Sequence, residues 1–227
     1  MLPIFLAALV AVVIAAAGTG RAAEPDRTSS APKPDYRFDR TISRPVLENY
    51  LSRAITMEGM LNGRGDFDDN LRMLKSTDAK FIGRSLCLWG GEANLLSSLE
   101  RARQLVPKVH AADPDMILQA CVFEIVTKQV EQVPVPAWAF VAFDLPVEKR
   151  NFRYADMIYP EGQRRDWGPN GSVPDVSRPE TQLWFYFLAR SYIDLGFETF
   201  ILDIPPDEEE LQHAAVAFEQ ASRRAPA

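Results

Sequence analysis

The sequence predicts an α/β protein, a partial (β/α) TIM-type barrel of about four βα units with parallel strands. Three observations lead there. Four short apolar runs recur along the chain, and each ends at a carboxylate. Segments with helical spacing of apolar residues follow the runs, and strand–helix alternation is the signature of βα units. The chain has 227 residues, 47% of them hydrophobic, which is enough for one domain with a sizeable core.

The first run is Ala54-Ile55-Thr56-Met57, ending at Glu58. The loop Asn62-Gly63-Arg64-Gly65 leads to Asp66, an N-cap for a helix with Phe67, Leu71 and Leu74 on one face. Arg64-Gly65-Asp66 is read as a turn and cap, not as an adhesion tripeptide. The second run, Phe81 to Trp89, reaches Gly90-Gly91-Glu92, and a helix follows with Leu95, Leu99, Ala102 and Val106 at helical spacing. The third, Met116 to Phe123, ends at Glu124. The fourth, Thr199-Phe200-Ile201-Leu202, ends at Asp203, and a helix is expected from a capping box at Asp207 and Glu210.

Between the third run and its helix lies a long insert, roughly residues 127–176, rich in proline and aromatic residues. An excursion of this length reads as a functional loop. The helix after it spans Glu180 to Leu195, with Ser177 as N-cap, Glu180 as its capping-box partner and Gly196 as the stop.

The N-terminal segment, residues 1–22, has an apolar run ending near Ala17 and small residues around Gly20-Arg21-Ala22. It is short for a spanning helix and reads as a secretory signal peptide, with an uncleaved anchor as the alternative. Residues 23–45 carry four prolines and read as a flexible linker, and the folded part, 46–227, begins near Val46. The predicted location is secreted or periplasmic, with no membrane contact after signal cleavage. The net charge of −6 comes without a basic stripe, which argues against nucleic acid. Export permits disulfides, but a bridge between parallel neighbours is awkward, so Cys87 and Cys121 read as two small buried thiols. The two histidines, His110 and His213, lie far from either cysteine in sequence, and no metal or cofactor is expected.

Functional groups of a parallel βα sheet gather at the C-terminal strand ends. Glu58, Glu92, Glu124 and Asp203 would therefore share one rim. Glu124 stands out because Phe123, Ile125 and Val126 surround it in sequence, and an apolar surround raises a carboxyl pKa toward that of a general acid. Paired carboxylates of this kind suit glycoside chemistry. Trp89, Trp138 and Trp167 are candidates for stacking on sugar faces. Each residue has a plainer reading: helix-terminus acid for Glu92, strand exit for Asp203, salt bridge for Glu124, packing for the tryptophans.

The stretches CVFEIV, VPVPAWAF, WGPNGSVPDVSRPETQLWFYFLA and YIDLGFETF together resemble a group of uncharacterised exported bacterial proteins. The resemblance covers roughly residues 45–204 and implies a glycoside-hydrolase-like (β/α) barrel. It assigns no catalytic residue. A full barrel has eight strands where four are read here, so the chain looks truncated, with open sheet edges that favour self-association. Two functions follow: an exported carbohydrate-active hydrolase using rim carboxylates as acid and base, or a non-catalytic glycan-binding or degenerate barrel protein.

Overall fold

The computed structural model describes residues 34–38, 41–123, 125–160, 166–168 and 170–203, and only the backbone of Leu202 and Asp203. Residues 1–22, Glu124 and the helix expected from Asp207 lie outside the described residues. Four parallel strands form one sheet: β1 (Ala54–Thr56), β2 (Phe81–Leu86), β3 (Ile117–Phe123) and β6 (Thr199–Asp203), in spatial order β1-β2-β3-β6. All four were expected from the apolar runs. The order follows the chain without reversal, so each crossover moves one strand further in the same direction.

Residue alternation on β3 shows how the two faces are covered. Leu118, Ala120 and Val122 join the main core with α2 (Phe67–Thr77), α3 (Leu95–Ala112) and α5 (Pro179–Ile193). Ile117 instead packs with Val46 and Tyr50 of α1 (Arg44–Ser52), and Cys121 and Phe123 form a third cluster with Cys87. The three crossover helices thus lie over one face. On the other face α1 closes the end where the strands begin.

Local chemistry accounts for the helix ends. Asp66 caps α2 by accepting the Asp69 N–H at 2.9 Å, a contact worth about 1 kcal/mol. Gly196, with φ of +94°, turns the chain after α5 in a conformation that favours glycine. The start of α5 departs from expectation. Its N-cap is Arg178, with no side-chain cap, and the Ser177 hydroxyl donates to Asp175 at 2.6 Å. Glu180 accepts both guanidinium N–H groups of Arg150, at 2.7 and 2.8 Å, and the Arg153 N–H at 2.9 Å. The buried carboxylate takes the charged partner over the Ser177 backbone N–H that a capping box would offer it.

Two boundaries also move. The compact unit begins at Pro34. Tyr36 packs edge-on against Tyr50 at 5.0 Å, so the stretch of the expected linker around Tyr36 is docked on α1. The described part of the 127–176 segment is only in part an exposed loop. It contains β4 (Val126–Thr127), α4 (Ala137–Ala142) and β5 (Gly171–Ser172), and it buries Val130, Val133, Phe140, Phe152, Met157 and Ile158. These residues cover α5 on the side away from the sheet. That explains why Leu183, Trp184, Phe185, Tyr186, Phe187 and Leu188 are all buried: the helix is sandwiched, and its apolar residues run around its whole circumference. Among the described residues, no helix is long and apolar enough to cross a membrane.

Candidate functional site

The strand ends are built from the loops that leave β1, β2 and β3. Glu58 follows β1 and stays partly exposed. One carboxylate oxygen pairs with Arg64 and the other with Arg84 at 3.3 Å. Two cations therefore hold its charge in place.

Glu92 lies in the turn before α3 and is 6% exposed. Its two oxygens accept the Thr127 N–H at 2.8 Å and the Thr127 hydroxyl at 2.6 Å. Both are committed to tying the loop after β2 to the start of β4. This carboxylate fastens two loops together and is not offered to a ligand.

Asp203 ends β6, where its backbone pairs in register with Phe123. Glu124 is the next residue after Phe123 and lies outside the described residues, as does the Asp203 side chain. Glu58 and Glu92, each held by its own partners, do not supply a free pair.

The three tryptophans separate into two places. Trp89 follows β2 and Trp167 precedes β5. They meet edge-to-face at 5.8 Å between ring centroids, and Trp89 also leans on Phe123 at 6.1 Å. Both stay exposed, at 56% and 52%. Indoles of this size are seldom left open in a pair unless another surface covers them. Trp138 lies on α4 and packs against Tyr186 and Phe187 of α5, at 5.8 and 5.9 Å. It does not join the pair.

Beside Trp167 runs an open groove of about 450 Å3. Its lining includes Ile125, Lys128, Gln129, Gln132 and Asn170. The floor is the antiparallel β4–β5 ladder, with Val126 opposite Ser172 and Thr127 opposite Gly171. Gly90 has φ of +66°, and a Cβ there would stand 3.1 Å from Thr127 Cγ2, so glycine lets the β2 loop lie close to this floor. The Gln129 amide donates to the Gly90 carbonyl at 3.3 Å. The groove offers amide donors and acceptors, one cation and one aromatic wall. Sequence reading found Trp167 but not Gln129, Gln132 and Asn170, because separated polar residues carry no periodic signal.

Arg84 is the second feature that sequence reading placed only as a salt-bridge partner. Between Ile82 and Leu86 of β2 the pairing with β3 slips, because four steps along β2 match two along β3. This bulge puts Arg84 in the left-handed region at φ of +56°, a strained position for a non-glycine residue that costs roughly 1–3 kcal/mol. The guanidinium reaches Glu58, stacks over Phe123 at 5.2 Å and donates to Cys87 Sγ at 3.8 Å. Its Nε is buried and has no partner among the described residues. The hydrogen bond to Cys87 raises the Arg84 pKa.

Cys87 and Cys121 are both free and buried. The neighbouring Cys121 thiol and the Arg84 guanidinium lower the Cys87 pKa to about 7. The Cys87 sulfur, together with burial, raises Cys121 far above the usual thiol range. Among the described residues no group of three or more His, Cys, Asp or Glu side chains could hold a metal ion.

No family model matches this sequence, and no curated protein and no solved structure shows significant similarity to it.

Proposed function

We propose that the protein binds carbohydrate at the C-terminal ends of its parallel strands. One observation carries the reading: the half-exposed indole of Trp167 lines an amide-bearing groove, and a second half-exposed indole, Trp89, meets it edge-to-face. A pyranose ring has an apolar face, which stacks on an indole, and a rim of hydroxyls, which exchange hydrogen bonds with amides. The groove volume falls within the range of small-molecule sites, roughly 300–1,000 Å3. The strand order β1-β2-β3-β6, with crossover helices over one face, supports the reading of the sheet as a section of a (β/α) barrel. The N-terminal apolar segment supports export.

The test is retention of the protein on immobilised polysaccharides, screened as a panel. Trp167→Ala and Trp89→Ala are each expected to weaken retention about tenfold, as loss of an aromatic contact worth about 0.5–1.5 kcal/mol together with its buried area requires. Trp138→Ala is expected to leave retention unchanged. Equal retention by wild type and the Trp89 and Trp167 variants would remove the site.

The register of Phe123 with Asp203 favours a second reading, hydrolysis at the same rim. It makes the residues at 124 and 203 the acid pair, Glu124 serving as general acid and Asp203 as its partner. Glu124→Gln is then expected to abolish turnover of whichever glycan is retained, with retention and fold intact. Undiminished hydrolysis by that variant would exclude Glu124 from the chemistry.

A further inference from the structure

We propose that Cys87 and Cys121 form a peroxide-sensitive dithiol that closes reversibly to a disulfide. The case starts with backbone geometry. Leu86 pairs with Ala120 in the last register step between β2 and β3; Cys87 is the first residue past the end of β2, and Cys121 follows Ala120 within β3. Adjacent strands run about 4.8 Å apart, within the roughly 4.4–6.8 Å between Cα atoms that a disulfide spans. Both side chains belong to the same cluster with Phe123, so they project from the same face.

Both positions are held. Cys121 lies in β3, flanked by β2 on one side and by Ile201 of β6 on the other. Cys87 is clamped by one side chain: Asn62 Oδ1 accepts its N–H at 3.4 Å, and Asn62 Nδ2 donates to its carbonyl at 3.1 Å. Side chains of parallel neighbours project alike, so closure needs side-chain rotation together with a shift at Cys87, which lies past the end of β2.

The surroundings distinguish the two sulfurs. The groups that act on Cys87 are the Cys121 thiol and Arg84, which favour its thiolate, and burial and the Glu58 charge, which oppose it. The favourable pair wins, and Cys87 titrates at about 7 where Cys121 stays protonated. One attacking sulfur beside one protonated sulfur is the division of labour of an oxidisable dithiol. The left-handed Arg84 holds a cation against Cys87, and the proposal gives that strained residue a task.

Burial limits the oxidant to a small one. Both thiols are buried, so a small oxidant such as hydrogen peroxide suits them where a peptide disulfide does not. The Cys87 thiolate attacks one peroxide oxygen, the S–O bond forms as O–O breaks, and the departing hydroxide takes a proton to become water. Cys121 then gives up its proton, its sulfur attacks Cys87 Sγ, S–S forms as S–O breaks, and the second hydroxide leaves as water. Overall, two thiols are oxidised to one disulfide while one peroxide is reduced to two waters.

The test uses the full chain, reduced, then exposed to hydrogen peroxide alongside free glutathione as an internal control. Remaining thiols are alkylated under denaturing conditions and the peptides are weighed. The expected product is a Cys87–Cys121 linked peptide within one chain, two hydrogens lighter than the reduced pair and restored by dithiothreitol. Its rate of formation is expected to rise with pH through about 7, well below the range of an ordinary thiol. Cys121→Ser should leave a sulfenic acid on Cys87 that dimedone captures, and Arg84→Gln should slow oxidation several-fold. Two free thiols after the glutathione is fully oxidised would overturn the proposal, and so would a link formed only between chains. The wild-type peptide mass decides the matter even if a variant fails to fold.

Discussion

Glu180 takes three donors, two from Arg150 and one from the Arg153 backbone, while 8% of its surface remains exposed. The guanidinium of Arg150 also stacks over Phe140 at 5.0 Å and reaches Glu148 at 3.1 Å. Glu180→Ala strands a largely buried cation, and breaking such a pair costs about 3–5 kcal/mol. Glu148 keeps one partner on Arg150, so the lower end of that range is expected in urea unfolding. Glu180→Gln retains one acceptor and should recover part of the loss. The partner of Glu180 was not legible in the chain. Ser177-x-x-Glu180 has the spacing of a capping box, yet the competitor sits 30 residues upstream, and no local pattern reports a partner at that distance. Arg84 was half legible. Gly83-Arg84-Ser85 interrupts an apolar run, and a polar break inside a buried strand is the signal of a bulge. Where the bulge would aim the guanidinium depended on Glu58, Cys87 and Phe123, which only the sheet brings together.

At the scale of elements, the strands could be read because their signal is local. A buried parallel strand is a short continuous apolar run, and all four runs became paired strands. The cap at Asp66 and the stop at Gly196 were readable for the same reason. The 127–176 segment was only partly legible, because proline and aromatic richness describes both an exposed loop and an irregular core layer, and this segment supplies both a groove lining and buried residues. Its neighbour held the deciding clue. The run Trp184-Phe185-Tyr186-Phe187 places large apolar groups on every side of a helix turn, so a sheet on one side alone could not cover it. Something had to lie over the outer surface of α5, and the segment before it was long enough to do so. Trp138 belongs to the same layer: it packs on Tyr186 and Phe187 while 41% of it stays exposed.

Across the described residues, one apolar core runs from α2 and α3 along the sheet face they share with α5 and on into the 127–176 segment. Phe152 sits where these layers join. It is 1% exposed and meets Trp184 at 4.9 Å and Phe187 at 5.5 Å. Phe152→Ala is expected to cost about 3–5 kcal/mol, in the range of buried aromatic truncations. Because the core is continuous, the loss should appear as a shift of one cooperative transition followed by far-ultraviolet dichroism and tryptophan fluorescence together. A change below 1 kcal/mol, or fluorescence melting ahead of dichroism, would mean that the segment is a separately folding flap. The tie between Glu92 and Thr127 extends this continuity to the surface. It couples two successive loops, so the floor of the groove beside Trp167 is rigid before anything docks there. A ligand entering it meets surfaces already in position and loses mainly its own freedom of motion. Association should then resemble a key entering a cut lock: a single fast bimolecular phase, with no slower step that becomes independent of ligand concentration.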